Sequence, residues 1–195
     1  MTPEQALDEF RAAGALLEGH FILSSGRHSA RYLQCARVLM DPARAARLAT
    51  ALAGKVRAAG VAASAVIAPA MGGLIIGYEL ARQLGLNSMF VERPEGRFEL
   101  RRGFALRPGE PVLLCEDVVT TGLSSREAIA AVEAAGGRVV AAACLVDRSD
   151  GTAELGVPLI PLIRLAVPSY APDALPPGLA ALPAVKPGSR AVAAA

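Results

Sequence analysis

Between Val112 and Ser125 the chain reads Val-Leu-Leu-Cys-Glu-Asp-Val-Val-Thr-Thr-Gly-Leu-Ser-Ser. Four apolar residues lead into two adjacent acids, Glu116 and Asp117. Val118 and Val119 follow, then Thr120, Thr121, Gly122, Leu123 and Ser124. The apolar run predicts a buried strand, and Ser124 with Glu127 has the spacing of a capping box that opens a helix. The backbone amides of Thr120 to Ser124 can then converge at a helix N-terminus, an arrangement that suits a phosphate monoester. Each such dipole contact contributes roughly 0.3–1 kcal/mol when exposed. Two carboxylates one turn away would repel that anion. They make sense as acceptors for neutral hydroxyls, such as those of a ribose. The plainer reading of the same run is an ordinary strand-to-helix turn with a capped helix.

The elements that would position these residues follow from the apolar pattern. Thr2-Pro3-Glu4-Gln5 opens a helix with Leu7, Phe10 and Ala13 on one face, ended by Gly14. His20 to Met40 mixes extended segments with a tight turn at Ser24-Ser25-Gly26-Arg27. Asp41-Pro42 starts a second helix with Leu48, Leu52 and Val56 on one face and Gly60 at its end. Short apolar strands then alternate with helices. Strands fall at Ala65–Ala68, Met89–Val91, Val112–Cys115, Val139–Val146 and about Leu162–Leu165. Helices follow Gly73 and Ser124, closed by Gly85 and Gly136. Arg93 to Gly103 reads as a long polar loop, and Ala166 to Ala195 as an extended, Pro-rich tail. This alternation predicts an α/β fold with a mostly parallel sheet flanked by helices. In such sheets ligands bind beyond the carboxyl ends of the strands.

Composition removes several classes. The chain has 195 residues, 53% of them hydrophobic, and a net charge of +2. That is too apolar for a disordered chain and too mildly basic for nucleic acid as main partner. Ala58 to Tyr78 carries no charge, but Gly60, Pro69, Gly72, Gly73 and Gly77 interrupt it, so it reads as strand, turn and helix rather than a membrane span. No signal peptide opens the chain, and the expectation is a soluble cytoplasmic protein. Cys35, Cys115 and Cys144 are odd in number, far apart and in apolar surroundings. They predict buried thiols rather than disulfides or a zinc site.

The run from Val112 to Ser125 matches the phosphoribosyl pyrophosphate (PRPP) motif of type I phosphoribosyltransferases, and nearly the whole chain resembles the orotate phosphoribosyltransferase family. Further segments carry that resemblance: Gly14 to Ser29, Tyr32-Leu-Gln, Ile67-Ala-Pro-Ala, Phe90-Val-Glu-Arg, Leu100-Arg-Arg-Gly and Leu145-Val-Asp-Arg-Ser. It implies a single domain over 1–195. Within it, 1–40 would form an N-terminal helix and small hood, 61–165 the PRPP-binding core and 166–195 the tail. It implies transfer of a phosphoribosyl group from PRPP to orotate, with magnesium held mainly by PRPP and pyrophosphate oxygens and no metal site of the protein's own.

Roles carry over residue by residue. Glu116 and Asp117 would hold the ribose hydroxyls and serve the reaction. Val118 to Ser124 would line PRPP, with Thr120 also near the base. Pro69 to Gly73, with Met71 and Gly72 at its centre, would face pyrophosphate. Arg148, Ser25, Gly26 and Tyr32 would surround orotate. A guanidinium pairs well with a planar carboxylate, although a salt bridge to Asp147 or Asp150 is the other reading of Arg148. Loop 93–103 would be a lid that reaches the neighbouring subunit of a homodimer, with Arg93 as its catalytic cation; a plain hairpin connection is the alternative. The chain departs from better-studied branches at Ser24 and Gly72, where they carry Lys. Its lid offers Arg93, Arg97, Arg101 and Arg102 with no His. Leu175 and Gly178 replace a tail Cys pair. Only Lys55 and Lys186 are lysine, so work on phosphates would fall to arginines, which stabilise charge but cannot shuttle protons near neutrality. A purine phosphoribosyltransferase and a non-catalytic PRPP sensor are the competing functions.

Overall fold

The computed structural model describes residues 1–23 and 26–186. Helix α1 spans Pro3–Ala12 and has the predicted capping box: Thr2 Oγ1 accepts from the Gln5 amide (3.2 Å) while Gln5 Oε1 accepts from the Thr2 N–H (2.8 Å). Strands β1 (Leu16–Ile22) and β2 (His28–Leu33) form an antiparallel hairpin, followed by the short helix α2 (Cys35–Leu39). Helix α3 (Pro42–Ala58) starts at Asp41, whose Oδ1 accepts from the amides of Ala43 and Arg44.

The core then builds as β3 (Ala65–Pro69), α4 (Gly73–Leu84), β4 (Asn87–Glu92), β5 (Glu99–Leu100), β6 (Glu110–Val119), α5 (Leu123–Ala134), β7 (Gly137–Asp147) and β8 (Leu159–Arg164). The sheet order is β5-β4-β3-β6-β7-β8, parallel throughout except for β5. Alternate residues serve opposite layers, as the pleat requires. Val66, Leu113, Cys115, Ala143 and Leu145 join α3 and α4 in one buried cluster. Ile67, Val112, Leu114 and Ala142 join α5 in the other. All three cysteines are buried and free. No helix among the described residues is long and apolar enough to cross a membrane. The uncharged stretch from Ala58 to Tyr78 is divided among the end of α3, β3 and the first half of α4.

Two expectations change. Segment 93–103 is not simply loop: Glu99 and Leu100 pair back antiparallel with Glu92 and Val91, which makes a hairpin at the sheet edge. The tail is not merely extended. It contributes β9 (Ser169–Tyr170), α6 (Pro177–Ala180) and β10 (Ala184–Val185). Strands β10 and β9 flank the N-terminal hairpin in a second sheet of order β10-β1-β2-β9. A lone hairpin leaves backbone donors and acceptors open on both edges, and the returning chain satisfies them. Side chains reinforce the closure. Arg27 Nε donates to Ser169 Oγ (2.8 Å), Ser29 Oγ donates to the Pro168 carbonyl (3.1 Å), and His20 Nδ1 lies 2.9 Å from the Leu182 carbonyl.

Helix α1 is tied to α3 by Glu9, which accepts from Arg44 Nε (2.9 Å) and from Arg47 Nε and Nη2 (2.7 and 2.9 Å). Hydrogen bonds from Arg47, then those from Arg44, hold its carboxyl down at about 2 against a smaller opposing effect of burial. A depressed folded pKa stabilises above the unfolded value of about 4.5 and is lost as the pH falls towards 2. Glu9→Gln should therefore cost about 1–2 kcal/mol at pH 7. In thermal melts the gap to wild type should shrink steadily below pH 4.5; a gap independent of pH would rule the ion pair out as its source.

Candidate active site

The carboxyl ends of β3, β4, β6 and β7 converge, and the loops that follow them bring most of the predicted residues together. Glu116 and Asp117 are neighbours on β6, so the pleat sends them to opposite layers. Glu116 turns towards α5. It is 6% exposed, and Ser125 Oγ lies at 3.5 Å from its Oε1. Asp117 turns towards α4 and the hood. Its Oδ1 accepts from the Val118 amide (2.8 Å). Burial raises the pKa of both acids, and for Glu116 the nearby Asp117 adds to it, against hydrogen bonds from Ser124 and Ser125; Glu116 is pushed up to about 8.

The predicted capping box at α5 is not formed. The helix starts at Leu123 with Gly122 as its cap, in left-handed conformation (φ 74°), and no side chain caps it. The hydroxyls of Ser124 and Ser125 serve Glu116 instead, and Glu127 pairs with Arg93. Helix α4 likewise starts at Gly72 with no side-chain cap, whereas α1 and α3 are both capped by side chains. The uncapped N-termini of α4 and α5 therefore both face the strand ends, with orphan amides that suit anionic groups. Gly122 is required by its left-handed φ, and both starts are closely packed. A Cβ on Gly72 would lie 2.9 Å from Asp117 Oδ1, and one on Gly122 would lie 2.5 Å from Leu155 Cδ2. Between β3 and α4, Ala70 and Met71 are joined by a cis peptide bond, and the Met71 side chain is exposed.

Thr120, Thr121, Leu123 and Ser124 are exposed along the turn, while Val119 is buried beneath it. Arg126, which the sequence reading did not single out, holds this turn from outside: its Nη1 donates to the carbonyls of Thr121 (3.0 Å) and Glu154 (2.9 Å). Two backbone carbonyls leave no side-chain pattern by which to find it. At the end of β4, Arg93 stacks over the Phe98 ring (3.8 Å) and pairs with Glu127 of α5, while its charge reaches Glu116. Arg102 pairs with Glu92 (3.0 Å).

Arg148 follows β7. Its amide donates to the Val119 carbonyl (2.8 Å), which locks the β7 end to the β6 end. The guanidinium makes no ion pair among the described residues, and its Nε is buried without a partner. Burial lowers its pKa. The salt bridge to Asp147 is absent, because that acid is turned into its own loop, where Ser149 Oγ donates to it at 2.6 Å. Tyr32, half-buried on β2, packs near Phe21 (5.8 Å between ring centroids). Burial and then Asp117 raise its pKa, while Arg148 opposes, so the hood ring stands within reach of both. Gly26 is exposed at the hood turn (φ 77°). Ser24 and Ser25 lie outside the described residues.

A strand-end pair of carboxylates, two uncapped helix starts and a half-buried guanidinium with an unpartnered Nε are thus assembled on one parallel sheet. Residues 36–156 match the family model of the phosphoribosyl transferase domain. Over the full chain, the sequence is 71% identical to orotate phosphoribosyltransferase of Rhizorhabdus wittichii, covering 100% of both chains. It is 68% identical to that of Novosphingobium aromaticivorans, over 98% of this chain and 99% of the relative. The crystal structure of orotate phosphoribosyltransferase from Aeropyrum pernix superposes with a TM-score of 0.67 at 31% identity, covering 82% of this chain and 93% of that one. Adenine phosphoribosyltransferase from Thermoanaerobacter pseudethanolicus shares the fold (TM-score 0.66) at 22% identity. The chain belongs to the phosphoribosyltransferases and, within them, to the orotate phosphoribosyltransferase family.

The raised Glu116 carboxyl has a consequence for stability. An acid whose folded pKa lies near 8 favours folding fully below about 4.5 and loses that contribution as the pH rises to 8. Glu116→Gln mimics the neutral form. Its unfolding free energy should match wild type near pH 4 and exceed it by more than about 1.4 kcal/mol at pH 9, the worth of one pKa unit. Parallel pH dependences for the two proteins would show that Glu116 is not held neutral by burial.

Proposed function

We propose that this chain catalyses transfer of the 5-phosphoribosyl group from PRPP to orotate, giving orotidine 5'-monophosphate and pyrophosphate. The observation that carries the choice of base is Arg148. A guanidinium under the hood, with no carboxylate partner among the described residues and one buried unsatisfied nitrogen, is held ready for an anion. Orotate brings a carboxylate, and neutral purines do not. The shared fold of adenine phosphoribosyltransferase does not separate the two bases; this residue does.

In this reading Glu116 and Asp117 bind the ribose hydroxyls from the two sides of β6. Thr120 to Ser124 cradle the 5-phosphate on the uncapped start of α5, over Val118 and Val119, and Thr120 also borders the base. Met71 and Gly72 present the start of α4 to pyrophosphate. Tyr32, Gly26 and Ser25 cover orotate, and Arg148 pairs with it. Pyrophosphate leaves the anomeric carbon through an oxocarbenium-like state, and an orotate ring nitrogen supplies the electron pair for the new bond and gives up its proton, by way of water, to the departing pyrophosphate. No covalent nucleophile is needed: alignment and charge stabilisation suffice. Arg93 at the lid base adds positive charge near Glu116 and, remaining protonated, takes no part in proton transfer.

Magnesium would be carried mainly by PRPP and pyrophosphate oxygens, where it would supply neutralisation of the leaving charge. Glu116 and Asp117, which face opposite layers, would hold the ribose hydroxyls rather than chelate the ion together. Three buried free thiols fit the reducing cytoplasm.

A second copy is the fitting cover for the outer face of α4, where Ile75 and Tyr78 stay exposed three positions apart. The hairpin 93–103 would reach the neighbouring site of that homodimer. Tyr78→Glu should convert a dimer into monomers in analytical ultracentrifugation and lower turnover more than tenfold. A monomeric wild type of full activity would remove the dimer from the scheme.

The central test is a steady-state assay with PRPP and magnesium, offering orotate, hypoxanthine, guanine and adenine. Orotate alone should be consumed, and Arg148→Ala should raise KM for orotate at least tenfold with a much smaller effect on KM for PRPP. Turnover of a purine without orotate would overturn the assignment, as would PRPP-dependent DNA binding with no release of pyrophosphate.

A further inference from the structure

Asp147 is fully buried, yet it stands beside Arg148 without pairing with it. A buried carboxylate is costly unless its charge is met by hydrogen bonds, and every donor it meets lies away from its neighbour. Oδ1 accepts from the Ser149 amide (2.9 Å) and the Ser149 hydroxyl (2.6 Å). Oδ2 accepts from the Gly151 amide (3.1 Å) and faces Arg164 Nε from β8 at 3.6 Å. Ser149 passes the constraint on, since its Oγ accepts from the Ala153 amide (3.0 Å) and its carbonyl accepts from Thr152 Oγ1 (2.7 Å). The resulting turn holds Asp150 and Gly151 in left-handed conformations (φ 55° and 83°). Its start is pinned on both sides: the Arg148 amide donates to the Val119 carbonyl at the end of β6, and the Leu165 amide, just past β8, donates to the Asp147 carbonyl (2.9 Å).

We infer that Asp147 is a positioning residue for orotate binding. It winds the turn that follows β7, so that Arg148 projects under the hood, and it has its own charge consumed by Ser149, Gly151 and Arg164, so that Arg148 is left unpaired for the substrate carboxylate. The inference rests on the reading of Arg148 as the orotate-binding cation. Without Asp147 the turn loses three acceptor contacts, and a guanidinium displaced by even 1 Å loses the parallel two-bond geometry that a planar carboxylate requires.

The test is a double-mutant cycle on the full enzyme, with orotate and PRPP varied separately. Asp147→Asn should raise KM for orotate at least tenfold while KM for PRPP and kcat stay within about threefold of wild type. In an Arg148→Ala background the same change should add less than twofold, because its effect passes through Arg148. Ser149→Ala, which removes the 2.6 Å hydroxyl bond to Asp147 together with the bond that hydroxyl accepts from the Ala153 amide, should shift KM for orotate in the same direction by a smaller factor, and Ser149→Thr should restore it. This pair carries the test if Asp147→Asn fails to fold. Equal effects on both substrates, or multiplicative effects of Asp147→Asn and Arg148→Ala, would reduce Asp147 to a general structural role and overturn the proposal. If Arg148→Ala itself leaves KM for orotate unchanged, the assignment of Arg148 falls, and the role of Asp147 falls with it.

Discussion

Two adjacent carboxylates at the end of a buried strand set the terms for the rest of the molecule. Glu116 and Asp117 sit where β6, central to the sheet, leaves the core, and the pleat sends one acid to each layer. Neither layer can leave a carboxyl unserved, because desolvation favours its neutral form and costs stability as the pH rises. The α5 layer answers with Ser124 and Ser125, and the α4 layer brings the backbone of Gly72 against Asp117. The glycines that permit this closeness also open both helices without a side-chain cap. The demand of the acids and the orphan amides of the helix starts are thus met in one place, where a ligand with hydroxyls flanked by phosphates would satisfy both.

The hood extends the same economy of partners to the base. Hairpin β1–β2 carries Tyr32 over Asp117 and Arg148, but two strands alone are marginally stable in water. The end of the chain closes both edges through β9 and β10, and the contacts of Arg27, Ser29 and His20 fasten it. The placement of the Tyr32 ring therefore depends on residues some 140 positions further along the chain. Arg126 plays a comparable part below, tying the carbonyl of Thr121 to that of Glu154 and so joining the turn before α5 to the loop that follows Arg148.

How much of this was legible from residues alone depends on the range of the forces involved. The strands of the core, helices α1 and α3 with their Thr2 and Asp41 caps, and the Glu116-to-Ser124 run are written in local periodicity and spacing, and all stand where the pattern puts them. The Ser124–Glu127 capping box failed although its spacing was correct. A hydroxyl next to a buried carboxyl has a stronger use than capping, and Glu127 has Arg93 across the layer. Strands β5, β9 and β10 are two residues long, with no periodicity to read; they exist because an edge elsewhere needs partners.

The residues of the strand-end motif, the alternation of strand and helix, and the presence of one arginine after β7 were therefore determined by the sequence by itself, since each rests on neighbours within a few positions. The tertiary structure alone decided that Glu116 and Asp117 face opposite layers, that the tail builds the hood, and that Asp147 turns its charge away from Arg148. Those outcomes turn on which donor lies nearest a buried charge in space, and the donors for Asp147 come from the turn that follows it and from Arg164 of β8.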